Sequence, residues 1–214
     1  STQYPGYGGA ATNAYNIIIY LRSQKYKVFG LFFYNDKEII NNKSKYDPDN
    51  IGGIILSKYP HLNSEKKNNE IKDQIINYLG GEPDICMGKN YAAPVYCKNL
   101  FQKSYIIYLV SGINHIPLFY AKKKISAQDI LKDSFEIIYK NNREIECNNI
   151  SDLIILNSKL SYKLFYKIYK EYKEKIYKFS IDTTQYINNI NSNYNKKLAD
   201  DNYNNKKYDI LICA

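Results

Sequence analysis

Four short segments carry residues able to bind or transfer a charged group, and the first is Gly6 to Thr12. Glycines there let a sugar or diphosphate approach the backbone, and the helix that follows offers free N–H groups and a partial positive charge. Gly8, Gly9, Ala10 and Thr12 are therefore predicted ligand-binding residues, with a purely structural turn as the alternative. The spacing is neither GxGxxG nor GxxxxGK[ST], which argues against nicotinamide and P-loop chemistry.

The second segment, Gly88 to Pro94, directly follows a strand-like run. Lys89 is positioned to face an anion, and Asn90 beside it is predicted to contact the same ligand. The alternative for Lys89 is an ordinary solvated surface lysine.

The third and fourth segments also follow buried strands. In the third, Gly112 is predicted to contact the ligand, and His115 is a candidate general acid or base, although a lone histidine is more often structural. In the fourth, Ser158 is a predicted substrate contact, and an ordinary helix N-cap is its alternative. No GxSxG motif surrounds this serine, which argues against a serine hydrolase.

The elements around these segments alternate between helix and strand. After the glycine loop, Ala10 to Lys25 has helical periodicity, and Lys27 to Tyr34 is predicted as a strand buried on both faces. Further strands are predicted at Ile51–Leu56, Asp84–Met87, Tyr105–Val110 and Asp152–Leu156, and further helices at Ser64–Leu79, Ala92–Phe101, Ser126–Asn141 and Lys159–Phe179.

This alternation predicts an α/β fold, a Rossmann-like and mostly parallel sheet of about six to seven strands flanked by helices. In such a sheet ligands bind at the carboxyl ends of the strands, so the four segments should meet there. Residues 1–187 are predicted to form this domain, and residues 188–207 read as a polar linker. Tyr208 to Ala214 is again strand-like and predicts the first strand of a truncated or returning second domain.

The chain of 214 residues carries a net charge of +9, which favours anionic partners. Only Arg22 and Arg143 are arginines. Because nucleic-acid recognition usually relies on arginine, nucleic acid is disfavoured as a partner, and a solvating lysine surface is the simplest alternative.

The cysteine and histidine content predicts a reduced, intracellular and cytoplasmic protein without a metal. No cysteine pair has CxxC spacing, there are two histidines, and no acidic DxD cluster follows a strand. No apolar run approaches the roughly 20 residues of a membrane span, and the amino-terminal residues lack the features of a signal peptide. Without an initiator Met, the simplest interpretation is a fragment or processed chain. The four cysteines are Cys86, Cys97, Cys147 and Cys213.

Four motifs occur in a fixed order along the chain: YPGYGGA at Tyr4–Ala10 with Thr12, YIIYLVSGI at Tyr105–Ile113, SDLIILNS at Ser151–Ser158 and YDILICA at Tyr208–Ala214. Together they resemble the amino-terminal domain of the retaining GT-B glycosyltransferases of family 4, over nearly the whole chain. The abundance of Asn, Lys, Tyr and Ile is similar to that of giant DNA virus proteins, which would place the chain in host cytoplasm.

The resemblance implies transfer of a sugar from a nucleotide donor, such as a UDP- or GDP-sugar, to a glycan, lipid or protein acceptor. It implies no further cofactor. The resemblance implies that the amino-terminal domain, here residues 1–187, chiefly binds the acceptor, while the family's glycine loop, which maps to Gly8 and Gly9, helps to surround the donor. The family's second domain supplies the main donor site, so this chain alone is expected to be inactive. The family's HEP-like histidine corresponds to Lys89–Tyr91, where it is absent, which leaves a retaining or an inverting outcome open.

Two other functions remain as alternatives. One is a non-catalytic Rossmann-like module whose basic surface binds nucleotide or nucleic acid, and steep salt dependence would distinguish it. The other is a nucleotide-dependent oxidoreductase, which the absence of the dinucleotide fingerprint disfavours.

Overall fold

The computed structural model describes residues 9–34, 54–58, 64–110, 142–178 and 209–213. Within these ranges no helix combines the length and the apolar content needed to cross a bilayer. The helices are α1 (Gly9–Ser23), α2 (Glu65–Leu79), α3 (Ala92–Leu100), α4 (residues 142–150) and α5 (Lys159–Ile168), with a 3-10 helix at Lys170–Lys175. The strands are β1 (Lys27–Tyr34), β2 (Ile54–Lys58), β3 (Ile85–Lys89), β4 (Tyr105–Val110), β5 (Leu153–Leu156), β6 (Ile176–Lys178) and β7 (Asp209–Cys213).

In the described residues the strands form one seven-stranded sheet, in the order β2-β1-β7-β3-β4-β5-β6. Every pairing is parallel. The predicted α/β fold with a parallel sheet flanked by helices is confirmed. The three runs expected inside the sheet from their two-sided apolar character are β1, β4 and β5, and none of them is an edge strand.

The two faces of the sheet bury separate core layers. On one face, α2 and α3 pack against Leu31 of β1 and Cys86 of β3. On the opposite face, Ile18 of α1 packs against Val28 and Phe32 of β1. Successive strand residues point to opposite faces, so odd and even positions of β1 enter different cores.

The helix predicted over Lys159–Phe179 is wrong beyond α5. Tyr169 leaves the helical conformation with φ −118° and ψ 53°, and its buried hydroxyl donates a hydrogen bond of 2.8 Å to Glu144. The 3-10 helix follows, and Ile176 then pairs with Ile154 as β6 extends the sheet. The apolar spacing of four residues matched a helix, but burial of Tyr169 and strand pairing decide the actual conformation.

Tyr208–Ala214 was expected to begin a second domain. The structure instead places β7 in the centre of this sheet, where Ile210 lies opposite both Val28 of β1 and Ile85 of β3. The strand therefore belongs to the same sheet as β1 to β6, and its backbone pairs with a neighbouring strand on each side. The predicted linker, residues 188–207, and the predicted helix Ser126–Asn141 lie outside the described residues.

Candidate functional site

The candidate site is the edge of the sheet at which the parallel strands end. Helices α3 and α5 follow β3 and β5 within three residues, so both begin at this edge. A three-residue turn joins α1 to β1, and α1 packs back along that strand. The first residue of α1, Gly9, therefore also lies at the carboxyl edge, and three helix amino termini share this side of the sheet.

Lys89 is the last residue of β3 and is 9% exposed. Burial alone, without a contribution from a neighbouring charge in the described part of the chain, lowers its pKa to about 8. Burying an ammonium group without a counter-ion is unfavourable, and an anionic ligand would relieve that cost. Such a lysine at a strand end is a candidate for binding an anion.

Side-chain alternation places Lys89 on the face of the sheet that α1 covers. Ile85 and Met87 of the same strand pack against the α1 core layer. On the other face, Gly88 lies directly against Pro94 of α3. Because Lys89 is two residues beyond Met87, it shares the α1 side.

The start of α1 and Lys89 both extend beyond the α1 core layer toward the carboxyl edge of the sheet. Ala14, in the core under α1, is five residues after Gly9, which corresponds to about 7.5 Å along the helix. Lys89 lies two residues, or about 6.6 Å, beyond Met87 in the same direction. The first turn of α1 contains no acidic residue, and its free backbone N–H groups, like the Lys89 ammonium group, favour an anion.

The turn from β3 into α3 holds the backbone of Lys89 in place. Asn90 has a left-handed φ of 71°, and its Oδ1 accepts N–H groups from Ala92 at 2.9 Å and Ala93 at 3.2 Å. The side-chain oxygen of Asn90, a predicted substrate contact, therefore closes the first turn of α3. A lysine fixed between this turn and the close contact of Gly88 has little backbone freedom.

Ser158, another predicted substrate contact, acts as the N-cap of α5. Its Oγ accepts the N–H of Ser161 at 3.0 Å and donates to the Ser161 hydroxyl at 2.8 Å. The structure thus shows the capping role that the sequence left open. The Ser158 hydroxyl lies at the carboxyl edge of the sheet, but both of its hydrogen bonds are with Ser161 in the first turn of α5.

The remaining predicted site residues divide into two groups. Gly9, Ala10 and Thr12 belong to the first turn of α1, and Thr12 is exposed. The structure places this turn and Lys89 on one face of the sheet and at its carboxyl edge. Gly8, Gly112 and His115 lie outside the described residues.

Sequence reasoning missed a buried polar cluster between α4, α5 and β4. Glu144 is fully buried and accepts hydrogen bonds from the hydroxyls of Tyr108 at 3.3 Å and Tyr169 at 2.8 Å. Burial, and then the Glu144 carboxylate, raise the pKa of both tyrosines above the usual range. No local spacing links these three residues, so only the tertiary structure could reveal the cluster.

A polar cleft of about 430 Å³ lies between α2 and α3. Within it, the Tyr96 hydroxyl donates to Asn68 Oδ1 at 3.0 Å, and Lys72 pairs with Glu82 at 3.0 Å. The cleft is on the opposite side of the sheet from Lys89. Its lining residues are Glu65, Asn68, Asn69, Lys72, Tyr96, Asn99 and Leu100.

Comparisons with known proteins were made for the whole chain. No known family model matches it. No curated protein matches it either. Among the described residues, no group of three or more His, Cys, Asp and Glu side chains is arranged to hold a metal ion. The geometry of the carboxyl edge is therefore the observation that bears on function.

Proposed function

We propose that this chain is the Rossmann-like amino-terminal half of a GT-B glycosyltransferase. In this proposal the enzyme transfers a sugar from a nucleotide donor, such as a UDP- or GDP-sugar, to a glycan, lipid or protein acceptor. The supporting observation is that the buried Lys89 and the first turn of α1 share one face at the carboxyl edge. A second GT-B domain would supply the rest of the donor site.

The chemistry of sugar transfer accounts for this arrangement. As the bond between the sugar and the diphosphate breaks, negative charge develops on the departing diphosphate. Backbone N–H groups at the start of α1 and the Lys89 ammonium would stabilise that charge, and they are held in place before the reaction begins. A preorganised positive site of this kind lowers the barrier without the reorganisation that water requires.

Gly9 gives the diphosphate access to these N–H groups. It is the first residue of α1 and has no side chain, so a bulky ligand can approach the backbone there. Ala10 follows with a single methyl group. The small residues thus agree with a ligand that approaches along the helix axis.

Binding measurements with two matched variants test the proposal. UDP, UDP-glucose, GDP-mannose and inorganic diphosphate are titrated calorimetrically into the wild-type chain, Lys89→Met and Lys103→Met. Lys103 is exposed and lies in the turn before β4, at the opposite edge of the sheet. We expect Lys89→Met to weaken diphosphate binding at least tenfold and Lys103→Met less than twofold. Equal effects of both substitutions would contradict the proposal.

Salt dependence separates the proposal from the alternative of a nucleic-acid-binding module, since the net charge of +9 would attract either anionic ligand. A single-stranded oligonucleotide and UDP are each titrated at 50 mM and 200 mM salt. A site that binds one diphosphate should lose modest affinity over this range, whereas multiple phosphate contacts lose several orders of magnitude. Tight oligonucleotide binding with a steep salt slope, together with no UDP binding, would favour the alternative.

A further inference from the structure

Strand β7 occupies a slot between β1 and β3. Ile212 lies opposite Gly30 of β1 on one side and Met87 of β3 on the other. Its sequence, DILIC, has the consecutive apolar residues of a strand that is covered on both faces. Without β7, two interior strands would each present an unpaired edge in the middle of the sheet.

Helix α1 bridges the two neighbours of this slot. In one core layer, α1 residues pack against Val28 and Phe32 of β1 and also against Ile85 and Met87 of β3. The helix also contacts β7 itself. Since β1 and β3 are separated by one strand, α1 lies over β7.

The direction and the face of α1 match those of a βαβ unit that begins with β7. The unit β3–α3–β4 moves one strand toward β6, and its helix covers the Cys86 face. A unit β7–α1–β1 moves one strand toward β2, and its helix covers the opposite, Met87 face. The two units therefore differ both in the direction of the step across the sheet and in the face that the helix covers. Because these two reversals cancel, the crossovers have the same handedness, as crossover connections in parallel sheets do.

We propose that β1 and β3 form a strand-binding site for Asp209–Cys213, which acts as the first strand of the unit whose helix is α1. The segment is recognised by its own sequence and not by its connection through residues 179–207. The segment should therefore also pair with β1 and β3 when it is joined to the chain before Ser1. This inference concerns the sheet alone and does not depend on the proposed function.

The length of chain before α1 is sufficient for that connection. Ala214 and residues 1–8 would separate Cys213 from Gly9, and both of these lie at the carboxyl edge of the sheet. Nine residues extend to about 30 Å, whereas packed layers are separated by about 10 Å. The link would also place Gly6 and Gly8 in the connection between the strand and α1.

A permuted chain tests the proposal, with residues 208–214 placed immediately before Ser1 and the chain ending at Lys207. We expect a cooperative melt with a Tm within about 5 °C of the original chain, and slow amide exchange at Ile210, Leu211 and Ile212. A chain of residues 1–207 without the segment should lose the cooperative melt. The proposal is overturned if the permuted chain melts like the shortened one, or if the shortened chain melts like the original.

A disulfide checks the register in both connectivities. Lys27 and Asp209 are directly paired, so Lys27→Cys with Asp209→Cys places two thiols on paired Cα atoms, at a separation that a disulfide accepts. We expect the crosslink in the original and in the permuted chain, detected by mass spectrometry without reductant. Lys25→Cys with Asp209→Cys is the control and should remain reduced, because Lys25 precedes the strand. A crosslink in the original chain alone would overturn the proposal.

Discussion

Gly88 of β3 and Pro94 of α3 are in such close contact that no other residue fits at the glycine. A Cβ added to Gly88 would lie 2.4 Å from the proline Cδ and 2.5 Å from its backbone nitrogen. The contact sets how closely α3 approaches the strand that carries Lys89. It thereby couples the packing of α3 to the candidate anion site.

Gly88→Ala should therefore destabilise the chain, because relief of the clash must move backbone or proline ring atoms. We expect a loss of about 1–3 kcal/mol in the free energy of unfolding, measured by urea denaturation. Gly81→Ala is the matched control, since a Cβ at Gly81 meets no atom within 4 Å. Equal stability of the two variants would show that α3 adjusts freely.

Asn90 combines a left-handed backbone with a side chain that caps α3, and three substitutions separate these two contributions. Asn90→Asp keeps an acceptor for Ala92 and Ala93 and should be nearly neutral. Asn90→Gly removes the acceptor but tolerates φ 71°, whereas Asn90→Ala loses both advantages. We expect the alanine variant to be the least stable, by about 1–3 kcal/mol, in denaturant melts. An alanine variant as stable as the aspartate variant would contradict this account.

The ionisation of Lys89 makes stability depend on pH in a defined direction. Its pKa is lowered from 10.5 to about 8, so the unfolded chain binds more protons between these values. The destabilisation by Lys89 is therefore fully present below pH 8 and decreases as pH rises to 10.5. Lys89→Met should raise the Tm by at least about 2 °C at pH 7, and most of this gain should disappear by pH 10.5.

The Tm values of Lys89→Met and the wild type are measured by scanning calorimetry at pH 7 and pH 10.5. Lys103→Met, measured in the same way, provides the control because that lysine is exposed. Its Tm should differ little from the wild-type value at both pH values. A Lys89→Met variant that melts below the wild type at pH 7 would contradict the unfavourable burial of this ammonium group.

Glu144 should be more important for stability than either tyrosine that donates to it. Glu144→Ala removes the acceptor of two buried hydroxyls, whereas Tyr169→Phe removes one hydrogen bond. We expect losses of about 2–4 kcal/mol and about 1 kcal/mol respectively, from chemical denaturation. A smaller loss for Glu144→Ala than for Tyr169→Phe would show that the carboxylate is a net cost to the fold.

The strands β1 and β4 were predictable from local sequence, because a strand that is covered on both faces has a short run of consecutive apolar residues. The end of α5 was not predictable in this way. Tyr172 and Ile176 continue a helical spacing, but the contact of Tyr169 with Glu144 comes from a distant part of the chain. Tertiary contacts overrode the local pattern there.

The position of β7 and the burial of Lys89 likewise depend on tertiary contacts that the local sequence does not predict. The strand character of β7 is evident in its sequence, but its partners β1 and β3 are far away along the chain. Lys89 was recognised from its place after a strand, whereas its 9% exposure depends on packing around the carboxyl edge. Non-local pairing and packing supply what local residue types do not.

If the proposed function is correct, Gly9→Val in the proposed two-domain glycosyltransferase tests access to the first turn of α1. The branched side chain should exclude the sugar diphosphate and reduce turnover at least tenfold, which is about 1.4 kcal/mol of transition-state stabilisation. The thermal melt should shift little, since Gly9 begins the helix. Turnover at the wild-type level would assign a structural role to the glycine.

Residues 1–214 alone should show no sugar transfer, and robust turnover would contradict that expectation.

The central claim, that an anion binds at Lys89, is tested most directly by the pKa of this lysine with and without ligand. The ammonium of Lys89 is assigned by NMR of side-chain-labelled lysine, with Lys89→Met to identify the signal, and is titrated with pH. We predict a pKa of about 8 in the free chain and a rise of at least about one unit with saturating UDP. A pKa that stays near 8 when UDP is bound would contradict the account.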